Sequence, residues 1–450
     1  MVSNGYLSHG DKDEFNPQKW SSTASQLPKR SPDTYLNVLI VGAGLAGLIT
    51  ALECWRKGHN VVGILERSQG PVYTGDIIVI GPSAISTLRH WPDICRDLEE
   101  DQSESVMYYR RHNGELILGP TTLGYKSPEH LAQRQVLPHV APHQVRRKFY
   151  RMLLRQVARM GLKVEYGHRV ERYFEDEAAN VAGVVTEDGS VRVAQLVVAA
   201  DAFRTRSDLL IAGDDVPTRS SGMSVYRAAL PTELALQDPA FKARWGELFW
   251  IGPGMHLGLF ISPDFVAYGL TPRDKFLQPG GNEPIESWDP DVDPAEVREV
   301  LHRVPGWNPA IEGLVRNTPK GATGGRVVQV GDAAHTTVPA SISGGTLAIE
   351  DAVTLAACLQ LACSGGTPGG GPLGARIYNL LRYQRVSCVQ KMSFVNSENL
   401  GAVDMDEVLK KDPEKVKVRF PKWVFQHDPE TYVYEKYGQA FSHFVLGTIL

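Results

Sequence analysis

An α/β fold, with an inserted antiparallel sheet and helices at its C-terminal end, is predicted by three features of this 450-residue sequence. A strand, a glycine-rich turn and a helix follow one another near residues 36–55. A block of alternating, strand-like segments separated by turn residues occupies about 218–320. Long apolar helical stretches come after it. Strands that alternate with helical periodicity point to a parallel sheet, whereas short strands spaced by Pro, Gly and Asp turns point to an antiparallel one.

The first unit reads Asn37-Val-Leu-Ile-Val-Gly42-Ala-Gly44-Leu-Ala-Gly47-Leu48. In a Gly-x-Gly-x-x-Gly turn of this kind, Gly42 permits the tight bend, Gly44 lets the backbone approach a pyrophosphate, and Gly47 lets the helix pack on the strand. Free N–H groups and the macrodipole favour phosphate at that helix N-terminus. Val61-Val-Gly-Ile-Leu-Glu66-Arg67 reads as the second strand, and Glu66 follows Gly42 by 66 − 42 = 24 residues. A carboxylate about twenty residues on binds a ribose hydroxyl in dinucleotide-binding units. Arg67 and Val79 are assigned to the same cofactor side.

A further helix is expected near 145–160, where Val145, Phe149, Met152, Leu153, Gln156 and Val157 recur at helical spacing. Short strands are expected at 163–166, 181–186, 191–193 and 195–200. Within the inserted block, alternation places strands at 222–230, 247–251, 256–261 and 265–270. A buried strand returns at 325–332, and a long helix follows from about 344 to 364. The Gly/Pro run 364–372 reads as a flexible loop, with helices to about 400. The expected division is a tail at 1–35, a nucleotide-binding domain at 36–217 and 321–400, an inserted sheet domain at 218–320, and a C-terminal segment at 401–450. There is no internal repeat.

Hydrophobic residues make up 42% and charged residues 22%, ordinary values for a chain that buries a large core. The net charge of −4, without a Lys/Arg block, argues against nucleic-acid binding. Cys54, Cys95, Cys358, Cys363 and Cys388 lack metal-ligand spacing and read as free thiols of a reducing, cytoplasmic compartment with no metal site. The polar first 35 residues lack the apolar core of a secretory signal and read as a flexible tail. The apolar stretch 38–55 is broken by three glycines and Glu53, and 440–450 is too short to cross a bilayer, so no transmembrane span is expected.

Three more stretches complete a pattern. One is Val328-Gln-Val-Gly331-Asp332-Ala-Ala-His335, continued by Val338-Pro339, Gly344-Gly345 and Ile349-Glu350-Asp351-Ala352. Another is Val197-Val-Ala-Ala-Asp201-Ala-Phe-Arg204-Thr. The last is Arg146, at the start of the 145–160 helix. Together with the glycine fingerprint, they resemble the FAD-dependent aromatic hydroxylases of the para-hydroxybenzoate hydroxylase type. The chain looks most like the salicylate-hydroxylase-like monooxygenases of fungal natural-product pathways, over about residues 36–400.

That resemblance implies a Rossmann-like FAD-binding domain and a single-component monooxygenase. It would use NADPH or NADH with O2 to hydroxylate or epoxidise a phenolic or indole-type small molecule through a C4a-hydroperoxyflavin, in alkaloid or polyketide tailoring. The expected assembly is a monomer or weak homodimer. The resemblance also implies roles. Asp332, after the sharp turn at Gly331, accepts a hydrogen bond from the ribityl chain. Arg146 reaches the FAD phosphate or ribityl region, while its neighbour Arg147 faces solvent. Asp201 matches the Asp of an Asp-Gly motif. The helix opening at Gly344-Gly345 aims its N–H groups at the flavin pyrimidine, where they stabilise negative charge in the reduced ring. His335 is structural.

On the substrate side, Thr74-Gly75-Asp76-Ile-Ile-Val79 stands where the family has Gly-Ala-Gly-Ile. Some fungal indole-alkaloid relatives similarly have Gly-Asp here and an Arg on the first strand of the substrate sheet, both implicated in handling the oxidised product. Asp76 and Arg227 match those positions. Arg204 matches an arginine that holds a phenolate in dearomatising relatives, and Tyr226 is a further candidate. The sequence departs from the family at Ala202 (usually Gly), at Asp208 (usually Arg) and at Ile342-Ser343-Gly344 (usually Gly-Gln-Gly). The rival readings are a flavin-dependent oxidase or dehydrogenase, and a non-catalytic flavin-binding protein. A halogenase or Baeyer–Villiger enzyme is disfavoured, because neither Trp-x-Trp-x-x-Ile nor Phe-x-Gly-x-x-x-His occurs.

Overall fold

A computed structural model describes residues 27–71, 77–100, 107–121, 143–176, 178–201, 205–211, 222–244, 246, 249–262, 265–274, 294–309, 311, 334–335, 338, 343–364, 370–402, 404–417 and 421–447. Its strands are β1 (Asn37–Val41), β2 (Asn60–Glu66), β3 (Ile77–Val79), β4 (Met107–Arg111), β5 (Leu116–Thr121), β6 (His143–Val145), β7 (Val164–Tyr166) and β8 (Val170–Asp176). They continue with β9 (Val181–Thr186), β10 (Val191–Ala194), β11 (Leu196–Ala199), β12 (Tyr226–Pro231), β13 (Phe249–Gly252), β14 (Met255–Ile261) and β15 (Phe265–Pro272).

The nucleotide-binding half is a parallel sheet in the order β11-β1-β2-β7. Both faces of β1 are covered, which is why it reads as an unbroken apolar run. Val38 and Ile40 join a core made by the Leu45–Arg56, Arg146–Arg159 and Gly344–Cys363 helices. Leu39 and Val41 face the antiparallel sheet β10-β9-β8 through Tyr173, Val184 and Ala194.

The Gly344–Cys363 helix is long and apolar enough to cross a membrane, yet it is mostly buried inside the protein. It packs on the Leu45–Arg56, Gly370–Leu400 and Pro429–Leu446 helices. The expected loop at 364–372 gives way to helix from Gly370. A Cβ at Gly370 would lie 2.3 Å from the Ala362 carbonyl oxygen, so only glycine lets the new helix start against the end of the old one. The expected tail also ends earlier than residue 35. Ser31 N donates to Arg56 O at 2.7 Å and Thr34 N to Gly58 O at 3.0 Å, which ties this segment to the end of the first helix. The expected strand at 325–332 lies outside the described residues.

The substrate half is a six-stranded sheet in the order β12-β15-β14-β13-β4-β5. Four of its strands come from the expected block 218–320, but β4 and β5 come from Met107–Thr121, inside the expected nucleotide-binding segment. β4 joins because Met107 and Tyr109 are buried, with the Tyr109 ring stacked on Phe249 at 5.3 Å. It lies parallel to β13. One face of the sheet is covered by Val297, Val300 and Leu301 of the Pro294–His302 helix, together with Leu400, Leu409 and Val416. The other face turns to the nucleotide-binding half. There Ala229, Phe260, Phe265 and Ala267 meet Ile77 of β3 and Val145 of β6.

Candidate active site

The glycine turn has no room for side chains. Gly42 has φ +103°, and a Cβ on it would lie 2.0 Å from Ala200 O. A Cβ on Gly47 would lie 1.9 Å from Gly42 O. The Leu45–Arg56 helix has no side-chain cap, which leaves its first N–H groups for an anion. At the end of β2, Glu66 accepts hydrogen bonds from Ala43 N and Ser68 N, both at 2.9 Å. Its carboxylate is thereby fixed beside the turn, where a ribose hydroxyl can reach it. Arg67 is exposed at the strand end.

A second candidate cofactor surface converges on β3, which pairs with β6. Arg146 is the first residue of the helix that follows β6, and Arg147 is half-buried rather than solvent-facing, because the turn of helix sets it against the body. Gly345 lies under β3: a Cβ there would stand 3.5 Å from Val79 O. Thr346 clamps the two elements. Its Oγ1 accepts from Gly81 N at 2.8 Å and donates to Val79 O at 3.4 Å. Sequence reasoning missed Thr346; the only signal was a hydroxyl in the first turn after Gly344-Gly345. A glycine-led helix N-terminus held against an extended strand is a fitting seat for a flat, anion-forming ring.

Asp201 sits at the end of the strand beside the Gly42 turn. Its carboxylate accepts from Tyr173 Oη and Thr205 Oγ1, each at 2.7 Å. Burial raises its pKa against the opposing effect of those hydroxyls. It braces the segment after β11. His335 is structural too, with Nε2 2.6 Å from Asp351 Oδ2. Asp76, Arg204, Gly331 and Asp332 lie outside the described residues.

Adjacent residues of β12 point to opposite faces, which separates two candidates. Tyr226 lies on the face that packs on the Pro294–His302 helix and donates from Oη to Glu296 Oε1 at 3.4 Å. Burial, then the Glu296 charge, push its phenol up to about 12. Tyr226 is thus turned away from the cofactor side, and its expected place in the pocket is corrected. Arg227 points the other way, with Nη2 3.5 Å from Ile77 O of β3.

An anion cradle, a carboxylate fixed beside it and a helix N-terminus set against β3 fit a flavin-dependent oxidoreductase. Residues 35–373 match the family model for the FAD binding domain, and the chain belongs to that family. It is 81% identical to the FAD-dependent monooxygenase AacuC of Aspergillus aculeatus, over all of this chain and 92% of that one. It is 64% identical to an FAD-dependent monooxygenase of Claviceps purpurea, over 98% and 91% of the two chains. Its fold matches the crystal structure of CtdE in complex with FAD and a substrate, with a TM-score of 0.76 and 25% identity over 90% of this chain and 99% of that one. The chain is an FAD-dependent monooxygenase of the aromatic hydroxylase family.

Replacing Glu66 by alanine removes the acceptor fixed beside the turn. FAD binding should weaken by about 1–3 kcal/mol, the scale of a charged hydrogen bond. Quenching of FAD fluorescence on titration measures it. An unchanged Kd would show that Glu66 only braces the turn.

Proposed function

We propose that this monooxygenase oxygenates a phenolic or indole-type aromatic small molecule in secondary-metabolite tailoring, with NADPH or NADH as reductant and O2 as oxidant. One oxygen atom ends on the substrate and the other leaves as water, as the reduced nicotinamide gives up two electrons. The observation that carries this reading is Arg227, on the sheet face toward β3 and the Gly344–Cys363 helix N-terminus. Bound FAD supplies reduction by the nicotinamide and activation of O2.

The chain's own residues do the rest. Ala229, Phe260, Phe265 and Ala267 close against Ile77 and Val145 and exclude water from that edge of the site. Arg227 offers a planar fork of donors to an oxygen as negative charge develops. Among the described residues, the glycine turn at Gly42–Gly47 is the one dinucleotide cradle, which fits transient docking of the nicotinamide near the flavin.

The test is NAD(P)H oxidation by the FAD-loaded protein against a panel of phenols and indoles, with mass spectrometry for one added oxygen. No stimulation by any aromatic would overturn the reading. Arg227→Ala should lower product formation about 10²–10³-fold, as for loss of one oriented donor, and leave FAD content near normal. Near-normal turnover would make Arg227 structural. An Asp76→Ala enzyme that still consumes NAD(P)H and O2 but releases a different product would place Asp76 after oxygen transfer.

A further inference from the structure

On the cofactor-facing side of the substrate sheet, register partners form a row: Arg227 on β12, Gly269 on β15, Gly258 on β14 and Phe249 on β13. The row on one side is Ala229, Ala267 and Phe260, and the row on the other is Thr271, His256 and Ile251. Gly258 and Gly269 lie on inner strands, yet both are partly exposed while their neighbours Leu257, Leu259, Tyr268 and Leu270 are buried. Among the described residues, a Cβ at Gly258 would meet only the Phe249 ring, at 3.6 Å. One at Gly269 would meet, among the described residues, only Val225 Cγ1 at 3.8 Å and Arg227 Cγ at 4.0 Å. The two glycines therefore floor an open trough in the middle of a sheet.

The trough has defined limits. Three strand gaps separate the Arg227 and Phe249 backbones by about 14 Å. Phe260 closes one end, with the His143 ring 5.8 Å away. Toward the other end stands His256, two residues from Gly258 on the same strand face and about 7 Å along. His256 is buried, and its Nδ1 has no hydrogen-bond partner among the described residues. Buried polar atoms are rarely left so. Burial pushes the imidazole down to about 4, so it is neutral and offers one donor and one acceptor.

We propose that this trough binds a flat, fused-ring aromatic over Gly258 and Gly269, with one ring oxygen at Arg227 and a second, on another edge, at the His256 imidazole. The proposal rests on the aromatic substrate inferred above and extends it to a class: fused-ring compounds with two separated oxygens.

The test uses the FAD-loaded enzyme and three probes, salicylate, 1-naphthol and 1,5-dihydroxynaphthalene, followed by perturbation of the flavin absorbance. The dihydroxynaphthalene should bind at least tenfold tighter than salicylate. Gly269→Val should weaken both naphthalenes at least tenfold, and Gly269→Ala less. His256→Phe should weaken the dihydroxynaphthalene about tenfold and leave 1-naphthol within twofold, while His256→Gln recovers part of the loss. FAD content is measured on every variant, and the alanine and glutamine variants carry the test if the larger changes do not fold. Equal affinity for salicylate and the dihydroxynaphthalene, no spectral response to either naphthalene, or indifference to changes at both positions would overturn the trough. Tight, His256-dependent binding without any stimulated NAD(P)H oxidation would overturn the proposed activity and leave the trough standing. Stimulated oxidation that is blind to both positions would do the reverse.

Discussion

Replacing Glu350 by alanine is expected to cost about 3–5 kcal/mol of folding stability, the penalty for breaking a buried ion pair from one side. Glu350 is fully buried in the Gly344–Cys363 helix. It accepts from Arg385 Nε and Nη2 at 2.7 and 2.6 Å and from Arg382 Nη1 at 2.8 Å. Asp351, next to it, accepts from Arg382 Nε at 2.6 Å and also faces His335. Without Glu350, Arg385 loses the carboxylate it holds with two donors, and Arg382 is left with Asp351. Denaturant unfolding of the FAD-free protein measures the loss, and a change under 1 kcal/mol would show that water reaches the arginines.

The same pair predicts an acid limit. Burial alone would raise the Glu350 carboxyl, but Arg385 and then Arg382 outweigh it and hold the group well below the usual range. Asp351 is lowered likewise, His335 and Arg382 prevailing over burial. A depressed carboxylate contributes stability above its unfolded pKa, about 4. That contribution fades as pH falls from about 4 toward the folded value. Unfolding free energy should therefore drop steeply below about pH 4, and Glu350→Gln should flatten that slope. A parallel slope in the variant would assign the acid lability to other groups.

The second large effect is expected at Gly47. Valine there drives a Cβ to within 1.9 Å of Gly42 O, a backbone atom that cannot rotate away. Either the helix start or the glycine turn must move, and both hold the N–H groups left for an anion. Overpacking of this kind costs about 1–3 kcal/mol, so FAD affinity should fall roughly a hundredfold. Flavin content after purification, and titration of the stripped protein, read the effect. Full occupancy would mean that the helix start can shift without loss of the site.

These expectations differ in how far they were visible in the chain itself. Gly42, Gly44, Gly47 and Glu66 were legible because a turn, a helix start and a strand end lie within thirty residues and obey local rules. The helix at Gly344–Cys363 was legible as an apolar run. Pairing of β4 with β13 was not. Trp250 lies opposite Arg110, 140 residues earlier, and a strand reading Met-Tyr-Tyr-Arg-Arg has no clean alternation. Adjacent strand residues were bound to face opposite ways, but only the tertiary packing decides that Arg227 and not Tyr226 meets the cofactor side. Thr346 carries little local signal beyond a hydroxyl in the first helical turn, because its role comes from contact with β3.

The split origin of the six-stranded sheet limits how substrate preference can be exchanged between relatives. A graft of residues 226–272 alone would take β12, β13, β14 and β15 but leave behind the β4–β5 hairpin. It would cost β13 its native neighbour on the β4 side, where the host's hairpin must match it or leave a row of unpaired backbone groups, a template for self-association. The transferable unit is discontinuous: Met107–Thr121 must travel with its distant partners, and exchange of one segment confined to the inserted block cannot supply both.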